Sequence, residues 1–143
     1  QSPKGAYAAV IPLFVKSLIS HERPVINGDG EYSRDFTYIE NVIQANYLAM
    51  TTTNPRAVNK VYNVAFGERT TLNQLFNYLR EGLSGFDPAI GDISAVYGPF
   101  RAGDIPHSLA SIDRAKSLLG YDPKYSVKKG LQEAIKWYWD NLK

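Results

Sequence analysis

The stretch GDGEYSRDF, residues 28–36, places a single arginine among three acidic residues and two glycines. Glycine adopts positive φ angles without strain, so Gly28-Asp-Gly30 predicts a sharp turn after the strand that precedes it. Arg34 is then expected on a returning strand, where a period of two puts it on one face with Phe36 and Tyr38. A guanidinium on a partly apolar face is costly without a counter-charge, so this pattern predicts an anionic partner for Arg34.

The composition indicates a folded protein with a substantial core. The chain has 143 residues, of which 44% are hydrophobic, enough for one domain or a large part of one. The absence of cysteine excludes disulfides, thiolate metal sites and thiol nucleophiles, and it favours a reducing, cytoplasmic compartment. Sixteen basic residues give a net charge of only +2 and are scattered, which argues against nucleic acid as a partner.

Two further features concern the limits of the chain. No apolar run is long enough for a transmembrane helix or a signal peptide, because Pro12, Lys16 and Ser17 interrupt the most apolar early segment. We therefore expect no membrane partner. The first residue is Gln1 and the only methionine is Met50, so we expect the chain to be part of a longer protein.

Hydrophobic periodicity predicts helices alternating with short strands, which favours an α/β fold with α+β character. Helices are predicted from Pro12 to about Ser20, from Ile39 to before Asn54, after Thr71, after Ser111 and after Ser126. Strands are predicted at Pro24–Asn27, Lys60–Ala65 and Ser94–Tyr97. The helix from Ile39 carries apolar residues around most of its circumference and is expected to be buried.

Helix termini provide a second set of predictions. Thr71 and Gln74 have the spacing of a capping box. Ser111 and Ser126 are expected to cap the last two helices, and Gly120 to end the first of them.

Arg34 and Arg101 could grip a diphosphate, because guanidinium groups stay charged and offer several donors in one plane. The simpler interpretation is that each arginine pairs with a nearby acid. Arg34 would then pair with Asp35 or Glu40, and Arg101 with Asp104. The residues alone leave both interpretations open.

The loop predicted from Gly98 to Ser108 holds two further polar candidates. Asp104 could accept hydrogen bonds from a ribose, or it could simply cap a turn. His107 could act as a general acid or base, or it could be a polar surface residue. At the end of the chain, Trp137–Trp139 could form a stacking surface, although rings on an amphipathic helix more often belong to the core.

Tyr125 and Lys129 have the Tyr-x-x-x-Lys spacing of short-chain dehydrogenases. That chemistry requires both side chains on one helix face, where the lysine lowers the pKa of the tyrosine. A cap at Ser126 leaves Tyr125 outside the helix, so we do not expect this pair to be catalytic.

Several motifs occur together, in order, along nearly the whole chain: Ala8–Pro12, Asn27–Gly30, Ser33–Ile39, Val61–Val64 and Arg101–Asp104. In combination they resemble the C-terminal half of extended short-chain dehydrogenase/reductases that act on nucleotide sugars. Within that family the runs Gln1–Val10 and Arg101–Ser108 are most similar to UDP-N-acetylglucosamine 4-epimerases.

The resemblance implies a set of substrate-binding residues. Arg34 and Arg101 would hold the pyrophosphate, Asp104 the ribose, and the small residue Ser108 would leave room for a 2-acetamido group. The helix beginning near Val10 and the strand Val25 to Asn27 would frame the uracil. The full implied set is Gln1, Ala9, Val10, Val25, Asn27, Arg34, Arg101, Asp104 and Ser108.

The resemblance also implies what lies elsewhere. Residues 1–143 would form the C-terminal UDP-sugar-binding fragment, whereas the NAD-binding domain and the catalytic Ser or Thr with Tyr-x-x-x-Lys would lie upstream of Gln1. The expected function is 4-epimerisation between UDP-N-acetylglucosamine and UDP-N-acetylgalactosamine by a homodimeric, NAD-dependent parent enzyme, with UDP-glucose and UDP-galactose as further candidate substrates. This fragment alone is expected to be inactive, without NAD, metal or catalytic residues.

Two alternatives stay open. The same C-terminal half would suit a nucleotide-sugar dehydratase or decarboxylase, since phosphate and ribose contacts do not reveal the reaction. A noncatalytic binding module is the second alternative, with the aromatic C-terminal helix as the partner surface.

Overall fold

The computed structural model describes residues 9–142 of the chain, which combine helices with short strands and confirm the mixed α/β fold class. The helices are α1 (Val10–Ile19), α2 (Ile39–Thr51), α3 (Leu72–Ser84), α4 (Asp113–Leu119) and α5 (Val127–Leu142), with a 3-10 helix at Pro88–Asp92. The strands are β1 (Val25–Asn27), β2 (Ser33–Arg34), β3 (Thr70–Thr71) and β4 (Val96–Gly98). Within residues 9–142, no helix combines the length and apolar character needed to cross a membrane.

The described residues divide into two compact units. The first comprises the described parts of Gln1–Tyr32, Thr71–Pro106 and Leu131–Lys143. The second comprises Ser33–Thr70 and His107–Gly130.

The first unit contains a parallel pair of strands packed with helices. β1 pairs with β4 in the register Val25 to Val96 and Asn27 to Gly98. Parallel strands need a long crossover, and α3 with the 3-10 helix lies in the chain between them. The core of this unit includes Phe14, Val15, Leu18, Ile26, Leu75, Phe76, Leu79, Leu83 and Ile90.

α3 begins with the predicted capping box. The Thr71 hydroxyl accepts from the Gln74 amide at 3.1 Å, and the Gln74 side chain accepts from the Thr71 amide at 2.9 Å. Two amides that have no partner within the helix are thereby satisfied, and such a cap stabilises a helix by about 1 kcal/mol.

The second unit packs around Tyr121, which is 1% exposed. Its hydroxyl donates to the Ala65 carbonyl at 2.8 Å. Burial, and next the negative charge of Asp35, raise the pKa of Tyr121 above its ordinary value. The residues of this core are Ala45, Ala65, Ile112, Ala115 and Tyr121, with Leu48, Tyr62, Val64 and Ala110 packed against it.

The predicted strand at Lys60–Ala65 is wrong, since this segment has no strand assignment. Two of its carbonyl groups accept hydrogen bonds from side chains. Arg114 donates to the Val61 carbonyl at 3.0 Å, and Tyr121 donates to the Ala65 carbonyl. These two backbone groups are therefore paired without a neighbouring strand.

The predicted burial of α2 is also wrong. Its buried residues are Asn41 and Ala45, whereas four large apolar side chains are more than half exposed. Their spacing of four, four and three residues places them in one stripe along the helix. The members of this apolar stripe are Ile39, Ile43, Tyr47 and Met50.

The turn after β1 forms as predicted, but the returning strand does not. Gly28 and Gly30 have φ angles of 74° and 79°. β1 pairs with β4, whereas β2 pairs with β3 and is only two residues long. Because β2 ends at Arg34, the strand alternation does not extend to Phe36 and Tyr38.

The last two helices have the predicted ends with one exception. Gly120 closes α4 with a φ of 70°, and the Ser126 hydroxyl accepts from the Lys129 amide at 3.3 Å. Ser111 is not the cap of α4, because Ile112 occupies that position and the Ser111 hydroxyl donates to the Asp113 carboxylate.

Candidate functional site

In the first unit, the predicted site residues Val25 and Asn27 are the first and last residues of β1, and Asn27 lies at its carboxyl end. Asn27 ends β1 opposite Gly98, and the Gly28 amide donates to the Gly98 carbonyl at 3.0 Å. Val25 is 59% exposed, and Asn27 is also exposed. Ligands of open α/β sheets bind beyond the carboxyl ends of parallel strands, so the position of Asn27 suits a ligand.

The turn at Gly28 has no room for a side chain. A Cβ atom added there would lie 2.3 Å from the Phe100 ring, and the φ of 74° is itself unfavourable for other residues. The Phe100 ring also packs against Tyr32, and the two ring centroids are 5.2 Å apart. The close approach fixes the start of the loop that carries Arg101 and Asp104.

Arg101 and Asp104 belong to one turn of that loop. The Asp104 amide donates to the Arg101 carbonyl at 3.3 Å, and Gly103 has a φ of 84°. The Arg101 side chain is exposed, and it forms no ion pair with any other described residue. The interpretation in which Arg101 is neutralised by Asp104 is therefore not the observed arrangement, and the guanidinium can receive an anion from solution.

In the second unit, Arg34 and Ser108 both donate hydrogen bonds to Ser33. The Ser33 carbonyl accepts from the Arg34 guanidinium at 2.9 Å and from the Ser108 amide at 3.1 Å. Arg34 is half-buried, whereas Ser108 is exposed. The structure thus places Arg34, the predicted phosphate-binding residue, near Ser108, the residue predicted to select the hexose.

Asp35 stands next to Arg34 in the sequence, and its carboxylate accepts hydrogen bonds from backbone amides. Its carboxylate accepts from the Phe66 amide at 3.1 Å and from the Gly67 amide at 3.0 Å. Carboxylates that accept backbone amides form strong, charge-assisted hydrogen bonds. Asp35 therefore anchors the segment 66–67 to the strand that carries Arg34.

The remaining predicted residues lie as follows. Ala9 and Val10 are half-buried, Ala9 as the residue before α1 and Val10 as its first residue. Gln1, and with it most of the run Gln1–Val10, lies outside the described residues. Asp104 is half-buried.

Tyr125 lies outside α5, as predicted from the Ser126 cap. The Lys129 ammonium sits 4.4 Å from the centroid of the Tyr125 ring, and Tyr38 packs against the same ring at 5.0 Å. The lysine therefore makes a cation–π contact with the tyrosine, which is a structural interaction.

The turn at Gly28 and Gly30 does not have the form of a dinucleotide-binding loop for NAD. A dinucleotide loop needs a glycine-rich turn that leads directly into a helix, whose first amides receive the pyrophosphate. Gly28 and Gly30 lead instead into β2.

Sequence reasoning missed the hydrogen bonds that Ser33 and Asp35 make in the structure. Ser33 is 4% exposed and links Arg34, His107 and Ser108. A serine preceding an arginine gives no local signal of such a role. The pairing depends on residues 74 positions apart in the sequence.

Residues 1–65 match the profile of the NAD dependent epimerase/dehydratase family. The resemblance stated from the sequence motifs is thereby confirmed. The mixed α/β fold is likewise that of a C-terminal portion of an extended short-chain dehydrogenase/reductase.

Two solved structures are similar over nearly the whole chain. One is a UDP-glucose 4-epimerase from Thermotoga maritima with UDP-glucose: identity is 37% and TM-score 0.84, covering 100% of this chain and 43% of that chain. The other is a UDP-N-acetylglucosamine 4-epimerase from Methanobrevibacter ruminantium in complex with UDP-N-acetylmuramic acid. Its identity is also 37% and its TM-score 0.84, covering 98% of this chain and 42% of that chain.

A curated relative has a different reaction in its name. The UDP-N-acetyl-alpha-D-glucosaminuronate decarboxylase of Bacillus cytotoxicus is 23% identical over 94% of this chain and 41% of its own length. The chain spans about two fifths of the length of the relatives it matches.

Proposed function

We propose that this chain is the C-terminal, substrate-binding part of an NAD-dependent UDP-sugar 4-epimerase. The observation that carries the proposal is the 37% identity and TM-score of 0.84, over the whole chain, to an epimerase crystallised with UDP-glucose. Residues 1–143 would bind the UDP-sugar, and an NAD-binding domain would precede them in a longer, homodimeric protein. UDP-N-acetylglucosamine and UDP-N-acetylgalactosamine are the proposed substrates, with UDP-glucose and UDP-galactose as further candidates.

The proposed roles of the residues follow from their charge and place. Arg34 and Arg101 would each donate to the pyrophosphate, because a guanidinium presents several donors to phosphate oxygens. Asp104 would accept from the ribose hydroxyls. The remaining contacts, to uracil and hexose, would come from Gln1, Ala9, Val10, Val25, Asn27 and Ser108.

The chemistry of epimerisation would be divided between the two parts of the longer protein. NAD bound by the preceding domain supplies hydride acceptance and return at the sugar. The residues of this chain bind the nucleotide and orient the hexose, which lowers the barrier by fixing the reacting geometry. The chain by itself is accordingly proposed to be inactive.

The exposed stripe of α2 supports the proposal of a longer protein. Ile39, Ile43, Tyr47 and Met50 are 51–82% exposed along one face of a helix in the second unit. Soluble proteins rarely leave a row of large apolar side chains uncovered. The NAD-binding domain proposed to precede this chain is the occupant that fits, since relatives are more than twice as long.

A dehydratase or decarboxylase of the same family is the second candidate, favoured by the 23% identity to the Bacillus cytotoxicus decarboxylase. Its substrate-binding half would make the same phosphate and ribose contacts. The product of turnover separates the reactions: a 4-epimer from an epimerase, a keto-deoxy sugar from a dehydratase and a pentose from a decarboxylase.

The binding-module alternative receives less support. Trp137 is 54% exposed, but Tyr138 is 7% exposed and Trp139 stacks on Phe86 at 5.4 Å with an interplanar angle of 16°. The aromatic residues of α5 are therefore largely used within the first unit, which leaves little of them for a partner.

Ser108→Tyr tests the proposed substrate class. We expect kcat/KM of the longer protein for UDP-N-acetylglucosamine to fall by about 5- to 100-fold, corresponding to roughly 1–3 kcal/mol, because the ring would fill the acetamido space. The value for UDP-glucose should stay within about twofold. Steady-state kinetics with both sugars make the comparison, and Ser108→Ala is the control. An equal loss for both sugars would remove Ser108 from the specificity argument.

A further inference from the structure

In the second unit, Ser33 forms hydrogen bonds with two proposed substrate-binding residues, Arg34 and Ser108. His107 forms a hydrogen bond with the Ser33 side chain. The Ser33 hydroxyl and the His107 Nδ1 atom are 2.9 Å apart. We propose that His107 is a positioning residue of the UDP-sugar site, which sets Arg34 and Ser108 by fixing Ser33. This inference rests on the function proposed above.

The hydroxyl of Ser33 needs a partner because the residue is 4% exposed. His107 provides it. The ring and the hydroxyl form one hydrogen bond in either neutral tautomer, since a hydroxyl can donate or accept. Loss of the imidazole would leave a buried hydroxyl unsatisfied, and Ser33 would have to shift or admit water.

A shift of Ser33 would also move its carbonyl group, which contacts Arg34 and Ser108. This carbonyl accepts from both the Arg34 guanidinium and the Ser108 amide, so both of its lone pairs are used. A movement of Ser33 therefore changes two contacts at once. One of them orients the proposed pyrophosphate ligand, and the other sets the backbone of the proposed hexose-selecting residue.

Few hydrogen bonds link His107 and its neighbour Ser108 to β2. Ser33 and His107 form an isolated parallel bridge, in which the Ser108 amide donates to the Ser33 carbonyl. The side-chain hydrogen bond adds a second link to this single backbone link. Because Nδ1 is engaged by Ser33, the ring is placed to hold the strand rather than to exchange protons through that atom.

The test uses the longer protein with NAD and UDP-N-acetylglucosamine. We expect His107→Ala to raise KM by about 3- to 10-fold, the range for one lost hydrogen bond, while kcat stays within about twofold. His107→Asn, whose amide can replace the Nδ1 hydrogen bond, should recover most of the loss. Ser33→Ala should reproduce the His107→Ala defect, and the double variant should be no worse than either single variant.

The chain offers a matched control in His21, its other histidine, which pairs with Asp87 in the first unit. His21→Ala should leave KM unchanged. If His107→Ala does not fold, His107→Asn is compared with His107→Leu, which has similar volume but no hydrogen bond. A higher KM for the leucine variant than for the asparagine variant supports the same conclusion.

Measuring UDP binding by isothermal titration calorimetry distinguishes a failure of the proposed function from a failure of the proposed role of His107. If the wild-type protein does not bind UDP, the proposed function and this inference both fail. If the wild type binds UDP and His107→Ala binds the substrate equally well, only the inference fails. Equal losses in His107→Ala and His107→Asn, or additive effects of His107→Ala and Ser33→Ala, would also overturn it.

Discussion

Replacing Arg34 or Arg101 by alanine is expected to raise the KM of the longer protein for UDP-sugars by about 10- to 100-fold. Each change removes a charge-assisted hydrogen bond to phosphate, for which the range is about 1.5–3 kcal/mol. The kcat should change less, because the pyrophosphate is remote from the reacting carbon and contributes to ground-state and transition-state binding alike. Steady-state kinetics and UDP titration measure the two effects.

Lysine replacements and a distant arginine serve as controls for this result. Arg34→Lys and Arg101→Lys keep the charge but lose the planar arrangement of donors, so they should recover only part of the affinity. Arg56, an exposed residue of the second unit, should tolerate alanine without change. Wild-type affinity in both the Arg34→Ala and Arg101→Ala proteins would contradict the pyrophosphate assignment.

Asp35→Ala is expected to lower the free energy of unfolding by about 2–4 kcal/mol. The change leaves the Phe66 and Gly67 amides without the carboxylate that now accepts both. Hydrogen bonds to a charged group contribute about 1.5–3 kcal/mol each, and their effects are not fully additive. Chemical denaturation at neutral pH measures the loss.

Two variants define the cause of this destabilisation. Asp35→Asn keeps one acceptor oxygen and should lose less stability than Asp35→Ala, whereas Asp92→Ala, an exposed acid in the first unit, should lose almost none. Unfolding free energies that are equal for the wild type and Asp35→Ala would contradict the anchoring role.

The charge of Asp35 also affects alkaline stability. Burial and this charge raise the pKa of Tyr121 above its unfolded value. The neutral phenol therefore contributes stability that is present below about pH 10 and is lost as the pH rises through the folded pKa. Asp35→Asn should weaken this alkaline loss, because one of its two causes is removed.

Local sequence signals predicted the ends of the helices well. The capping box of Thr71 and Gln74 and the glycine at position 120 act within one turn of their helix, so neighbouring residues suffice to identify them. Ser111 failed as a cap because serine competes for other partners, here the Asp113 carboxylate.

Long-range partners account for the wrong predictions. Lys60–Ala65 has the composition of a strand, but its carbonyls accept from the side chains of Arg114 and Tyr121, far along the chain. The apolar residues of α2 indicated burial, although periodicity cannot distinguish a side chain that faces a core from one that faces a partner.

The candidate site was predictable only in part. The arginines stood out by charge, and the resemblance supplied their expected roles. The link from Arg34 through Ser33 to Ser108 was not predictable, because it joins an unremarked serine to a loop 74 residues away. The link suggests variants of His107 and Ser33 in addition to those of the arginines.

This chain is proposed to bind the substrate of a UDP-sugar 4-epimerase. The most direct measurement is an NMR product assay of the longer protein with NAD, in which UDP-N-acetylglucosamine and UDP-glucose are offered separately. We predict the 4-epimer of the acetamido sugar, UDP-N-acetylgalactosamine, as the product. A keto-deoxy or decarboxylated product, or no conversion of either sugar, would contradict the account.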